Sequence, residues 1–195
     1  MQRKKPIKTI NFLESYPADT AIIGGLIAHL QNDLFAMTFP QREIDEIIIS
    51  VDEALTNAIQ ETLRRQCDSA APTRERTREI TIRYRITRKS FDATVIDHGG
   101  GLNILTSIEQ SPNSTMPNYS GQIMRYMTES EQKKLRITRN GRKIALRGIG
   151  AGLKILLAFM DSITIDFIDR KKVISTDITS FTDGTILNMR RKRRY

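Results

Sequence analysis

The sequence predicts an α+β protein: a two-layer α/β sandwich in which a mostly antiparallel mixed sheet carries helices on one face. Three observations predict it. Apolar residues in the first third recur at helical spacing, those of residues 79–96 and 162–189 follow strand periodicity, and the helices come early with a meander of strands behind them. At 195 residues, a single domain spanning 1–195 with a buried core is expected.

The elements follow in order. Residues 7–13 alternate weakly and fit an edge strand. Asp19 or Thr20 then caps a helix whose Ile22, Ile23, Leu26, Ile27, Leu30 and Leu34 share one side. Gly24 and Gly25 weaken that helix, and Phe39-Pro40 breaks it. A second helix is expected over residues 41–65, with an apolar stripe of Ile44, Ile47, Ile48, Val51, Leu55, Ala58 and Ile59. On that helix Glu53 and Asn57 fall opposite the stripe, about 40° apart.

Residues 67–78 have the composition of a loop. Strands are expected over 79–87 and 91–96, the second ending at Asp97. Residues 103–147 are polar and rich in Ser, Asn, Pro and Arg, with one or two short helices around 121–134. A segment this long within one domain is expected to be a functional lid. A helix over 151–160 and strands over 162–168 and 173–181 come next. Thr182-Asp183-Gly184 signals a hairpin turn into a last strand over 185–189.

Composition narrows the function. Hydrophobic residues at 39% and charged residues at 27% describe a soluble globular chain with an aliphatic core, since Trp is absent. Cys67 is the lone cysteine and has neither a disulfide partner nor a metal cluster. No run approaches the roughly 18 apolar residues of a membrane span, and no signal peptide is evident, so a cytoplasmic location is expected. Of the net charge of +9, Arg190, Arg191, Lys192, Arg193 and Arg194 supply five. Residues 190–195 are expected to form a solvated, frayed basic tail. Acidic proteins, nucleic acid or nucleotide phosphate all fit such charge, although the tail has no stacking aromatic except Tyr195, which disfavours nucleic acid.

Three motifs carry chemistry. The first is Glu53-Ala54-Leu55-Thr56-Asn57-Ala58. Asn57 can offer its side-chain oxygen to Mg²⁺, a hard cation, and Glu53, one turn earlier, can orient a water or a substrate hydroxyl. The second is Asp97-His98-Gly99-Gly100-Gly101. A strand-end Asp can accept a hydrogen bond from the exocyclic amine of adenine, while Gly99 and Gly101 let backbone approach the base. The third is Gly148-Ile149-Gly150-Ala151-Gly152-Leu153 at the start of the third helix. Gly148, Gly150 and Gly152 leave room for phosphate at a helix N-terminus, and Arg147 just before them is placed to reach a γ-phosphate. No Gly-Lys-Ser/Thr follows, so this is not a Walker A loop. Taken singly, each motif also fits a plainer role: a solvated helix face, a loop built on Asp and Gly, an exposed arginine.

Taken in order, the three motifs resemble the boxes of the gyrase, chaperone, histidine-kinase and mismatch-repair ATPase superfamily, and most closely its anti-sigma-factor serine/threonine kinases. Phe39 through Ala58, Phe159-Met160-Asp161-Ser162-Ile163 and Asp183-Gly184-Thr185 extend the similarity over roughly residues 17–190. The resemblance implies a histidine-kinase-like ATPase fold with ATP and Mg²⁺ as cofactors. It implies Glu53 as catalytic base, Asn57 as magnesium ligand, Asp97 as adenine reader and Thr185 as a water-mediated adenine contact. It also implies a sigma factor and an anti-sigma antagonist as protein partners, and a possible homodimer. Glu61 departs from the family pattern, which has His at that place. The alternative is a nucleotide-gated protein that sequesters a partner without kinase activity.

Overall fold

The structure is a computed structural model and describes residues 8–68, 79–99, 138–139, 142–143, 151–175 and 182–194. Its elements are β1 (Thr9–Pro17), α1 (Ala21–Ala36), α2 (Gln41–Asp68), β2 (Glu79–Thr87), β3 (Ser90–Asp97), β4 (Thr138–Arg139), β5 (Arg142–Lys143), α3 (Ala151–Phe159), β6 (Ser162–Asp169), β7 (Ile174–Ser175) and β8 (Thr182–Lys192). Six strands form one sheet in the order β1-β2-β3-β8-β6-β7, and β4 pairs with β5 apart from it. Among the described residues every ladder is antiparallel.

Alternation along the strands separates the two faces of the large sheet. Ile80, Ile82, Tyr84 and Ile86 of β2, Phe91, Ala93 and Val95 of β3, Ile163, Ile165 and Phe167 of β6 and Met189 of β8 join one core with residues of all three helices. Arg83, Arg85, Arg190 and Lys192 stand exposed on the other face. The fold is therefore the expected two-layer sandwich with helices on one face. Tyr84 ties α1 to the sheet: its hydroxyl donates to Asp33 at 2.6 Å, and its ring stacks on Phe12 with centroids 4.7 Å apart. Burial first, then the Asp33 carboxylate, pushes the Tyr84 phenol far above its usual range.

Asp19 rather than Thr20 satisfies the start of α1, accepting from the Ala21 amide at 2.9 Å. The helix ends at Ala36, before Phe39-Pro40, where Thr38 takes a left-handed φ of 59°. Helix α2 runs three residues past its expected end, to Asp68.

Two expectations for the last strand are corrected. Thr182, Asp183 and Gly184 are not a hairpin turn; they lie within β8. Ile168 pairs with Gly184 and Asp169 with Thr182, so Asp183 is the extra residue of a β-bulge. The bulge and the turn call on the same residue types, which is why the local signal misleads.

The basic run is likewise no frayed tail. Arg190, Arg191 and Lys192 are strand residues of β8, paired with Asp92, Phe91 and Ser90. The pleat turns Arg191 toward the helices, where it is 2% exposed. Its guanidinium ion-pairs with Glu46 of α2 and donates to the Phe159 carbonyl at the end of α3 at 2.6 Å. Arg193 donates to the Thr38 carbonyl at 2.5 Å and lies over the Phe39 ring, 5.3 Å from its centroid. The Arg194 amide donates to Glu43 at 3.0 Å, and its side chain reaches Asp161. Burial raises the Asp161 pKa, but the Lys192 amide and Arg194 outweigh it and hold the carboxyl below its ordinary range.

Among the described residues no helix is long and apolar enough to cross a membrane. Of the expected lid, only β4 and β5 are described; the helices expected over 121–134 fall outside the described residues, as does most of the loop 67–78.

Candidate functional site

Helix α2 spaces Glu53, Asn57 and Glu61 four residues apart, which sets them in a row along one side. Glu53 and Asn57 lie on the side of α2 away from the apolar stripe, yet both are half-buried, because α3 packs on α2 there. The Asn57 amide nitrogen donates to the Glu53 carboxylate at 3.0 Å. With its nitrogen so engaged, Asn57 presents its oxygen as the free donor atom for a hard cation.

Each end of the row meets a glycine from another element. At the Glu53 end stands Gly152, in the first turn of α3. A Cβ on Gly152 would overlap the Glu53 carboxylate, so the missing side chain is what lets the two helices close here. At the Glu61 end stands Gly99, just beyond β3, where a Cβ would sit 2.8 Å from the Glu61 backbone carbon. Asn57 thus lies between the contact with the N-terminus of α3 and the contact with the end of β3.

Asp97 stands at the end of β3, near the Glu61 end of this row. It is 7% exposed and pairs across the sheet with Thr185 of β8. One carboxylate oxygen accepts from the Gly99 amide at 2.8 Å. The Thr185 hydroxyl is buried beside the carboxylate and, with the Thr185 amide, favours its charged form. Burial, opposed by the Gly99 and Thr185 groups and reinforced by the Glu61 charge, pushes the Asp97 carboxyl up to about 7. A buried carboxylate of this kind would accept a hydrogen bond from an amine-bearing ligand edge, such as that of adenine.

Two participants were not among the expected site residues. Gly184 approaches so closely that a Cβ would overlap the Asp97 carbonyl oxygen; its signal was present as Asp-Gly but points equally to a turn. Glu61 acts on Asp97 through its charge and on Gly99 through contact. Gly101, Arg147, Gly148 and Gly150 lie outside the described residues. Among the described residues no cluster of three or more His, Cys, Asp or Glu side chains is arranged to hold a metal.

No family model matches the chain, and no curated protein matches it. Among solved structures, the fold is similar to a chain in the crystal structure of the SiaB–SiaC complex from Pseudomonas aeruginosa. The TM-score is 0.53 at 12% identity, over 93% of this chain and 89% of that chain. At that identity the likeness concerns the fold alone.

Proposed function

We propose that this chain is an ATP-dependent serine/threonine protein kinase of the anti-sigma-factor, partner-switching type, acting on a Ser or Thr of an antagonist protein. The observation that carries the nucleotide part is the buried Asp97 carboxylate beside the Thr185 hydroxyl, near the row that Glu53, Asn57 and Glu61 form on α2. Asp97 accepts the adenine amine, and the Asn57 oxygen takes magnesium. Bound Mg-ATP supplies the transferable γ-phosphoryl group. Glu53, fixed by Asn57, orients the acceptor hydroxyl and takes its proton. The N-terminus of α3, held against Glu53 by Gly152, favours phosphate through its free amides and dipole. A fold neighbour observed within a two-protein complex supports a protein as the partner.

Calorimetry with Mg-ATP, and Mg-GTP as control, tests the nucleotide site. Selective ATP binding is expected, and Asp97→Asn should lose it by about tenfold or more, since a buried charged acceptor is removed. Equal affinity in the variant would refute the adenine assignment. The kinase part is tested separately with Glu53→Gln: nucleotide binding persists while phosphotransfer to a Ser- or Thr-bearing partner is lost. A wild type that binds ATP and never yields phosphoprotein would leave the partner-sequestering alternative.

A further inference from the structure

The sheet face turned away from the helices is not an inert surface. A groove of about 1040 Å³ runs across it from β1 to β6, with Arg83, Arg85, Lys89 and Arg190 in its lining and Asp92 as the lone acid. It shares Lys89, Ser90 and Arg190 with a second hollow of about 560 Å³, whose lining adds Arg88 and Lys192 and contains no acidic residue. The two form one continuous basic surface.

The fold holds these cations in place. Arg88 and Lys89 sit at the tip between β2 and β3, where the Thr87 hydroxyl oxygen accepts from the Lys89 and Ser90 amides at 3.1 and 2.9 Å. The Lys89 carbonyl in turn accepts from the Arg193 amide at 2.8 Å, so the tip is pinned to the end of β8. Asp92 is engaged by Arg190 at 3.2 Å and by the Ser90 hydroxyl at 2.9 Å. Among the described residues no ion pair engages Arg85, Arg88, Lys89 or Lys192. Four like charges left without counter-charge on one face are costly to gather unless something acidic offsets them.

The chemistry between the cations distinguishes the kind of partner. Arg83 donates to Thr94, Thr94 donates to Asn188 at 2.8 Å, and Asn188 donates to Thr164 at 3.2 Å, a polar chain across four strands. These groups are engaged with one another, so the exposed cations are left as the groups that would recognise a partner's carboxylates. Among the described residues the open face also carries no stacking ring: Phe12 and Tyr84 face the helix side, against His29 and each other. We propose that the open face of the sheet, from Arg83 to Lys192, is a docking surface for an acidic segment of a partner protein, on the side of the sheet away from the helices. The proposal stands whether or not the Asp97 site binds nucleotide.

The test uses the full chain and fluorescence anisotropy with labelled poly-L-glutamate, and polyuridylic RNA as the competing class. Poly-L-glutamate binds, more tightly than the RNA, and R85E/K89E weakens it by about tenfold or more. R170E/K171E makes the same change in net charge on an exposed turn between β6 and β7 and leaves binding unchanged. Mg-ATP calorimetry on R85E/K89E matches the wild type, which separates this surface from the Asp97 site. If the charge reversal impairs folding, R85Q/K89Q gives the same ranking with a smaller loss. Equal loss in both double variants, tighter binding of RNA, or no binding of poly-L-glutamate overturns the proposal.

Discussion

Glu53 is held from two sides, by the Asn57 amide and by the bare backbone of Gly152. Gly152→Ala would push the carboxylate out of its place while leaving the helix a better former. We expect phosphotransfer to fall by about a hundredfold, as for a misplaced reacting group, with the unfolding midpoint little changed. An unaltered rate in this variant would remove Glu53 from the mechanism. Asp97 gives a second prediction, through pH. Its carboxyl titrates near 3.8 when unfolded and near 7 when folded. Between those values the folded chain holds more proton, so the stability that the neutral buried acid provides is full below about 4 and is lost as pH rises toward about 7. On the proposed function adenine affinity would run the other way, since its amine needs the ionised acceptor: it would rise through about pH 7 and level above. Urea melts and calorimetry across this range check both slopes, and Asp97→Asn should flatten each. Asn57 and Glu53 were legible because one helical turn brings them together. Glu61 and Gly184 were not, because their role depends on what a different element places beside them.

At the scale of elements, periodicity served well wherever one face is buried. The β2 boundaries, Glu79–Thr87, match the expected strand, because strict alternation leaves no second register that keeps Ile80, Ile82, Tyr84 and Ile86 inside. Periodicity failed at β8, where a bulge at Asp183 imitates a turn and where charge conceals an inward-facing arginine. Helix α1 offers a third prediction. It continues through Gly24 and Gly25, and a Cβ at either place meets nothing within 4 Å. Gly24→Ala and Gly25→Ala should each stabilise the fold by about 0.5–1 kcal/mol, measured by urea unfolding. Destabilisation of the isolated chain would mean that the helix is not held as described.

At the scale of the whole molecule, the C-terminal basic residues join the two layers. Composition treats residues 190–195 as one cationic run. The fold divides them: Arg190 and Lys192 face the open side, while Arg191 passes inward to Glu46 and the end of α3, Arg193 closes over the loop after α1, and Arg194 reaches Glu43 of α2 and Asp161. Sequence alone does not reveal this division, because the alternation of a strand is invisible when every residue has the same charge. The arrangement places Arg191 at the far ends of the same two helices, α2 and α3, that meet at Glu53 and Gly152. Removing it leaves Glu46, itself 13% exposed, facing Arg42, whose side chain is 88% exposed and screened by water. Arg191→Met should therefore cost about 3 kcal/mol, the lower end for one partner lost from a buried pair. Glu46→Leu combined with Arg191→Met should recover part of that loss, since no buried charge is then left alone. Truncation after Met189 should abolish the cooperative urea transition, because it also removes the ladder to Ser90, Phe91 and Asp92 and the contacts to Thr38 and Glu43. A truncated chain that melts at the wild-type midpoint would show instead that the basic residues are the solvated appendage their composition suggests.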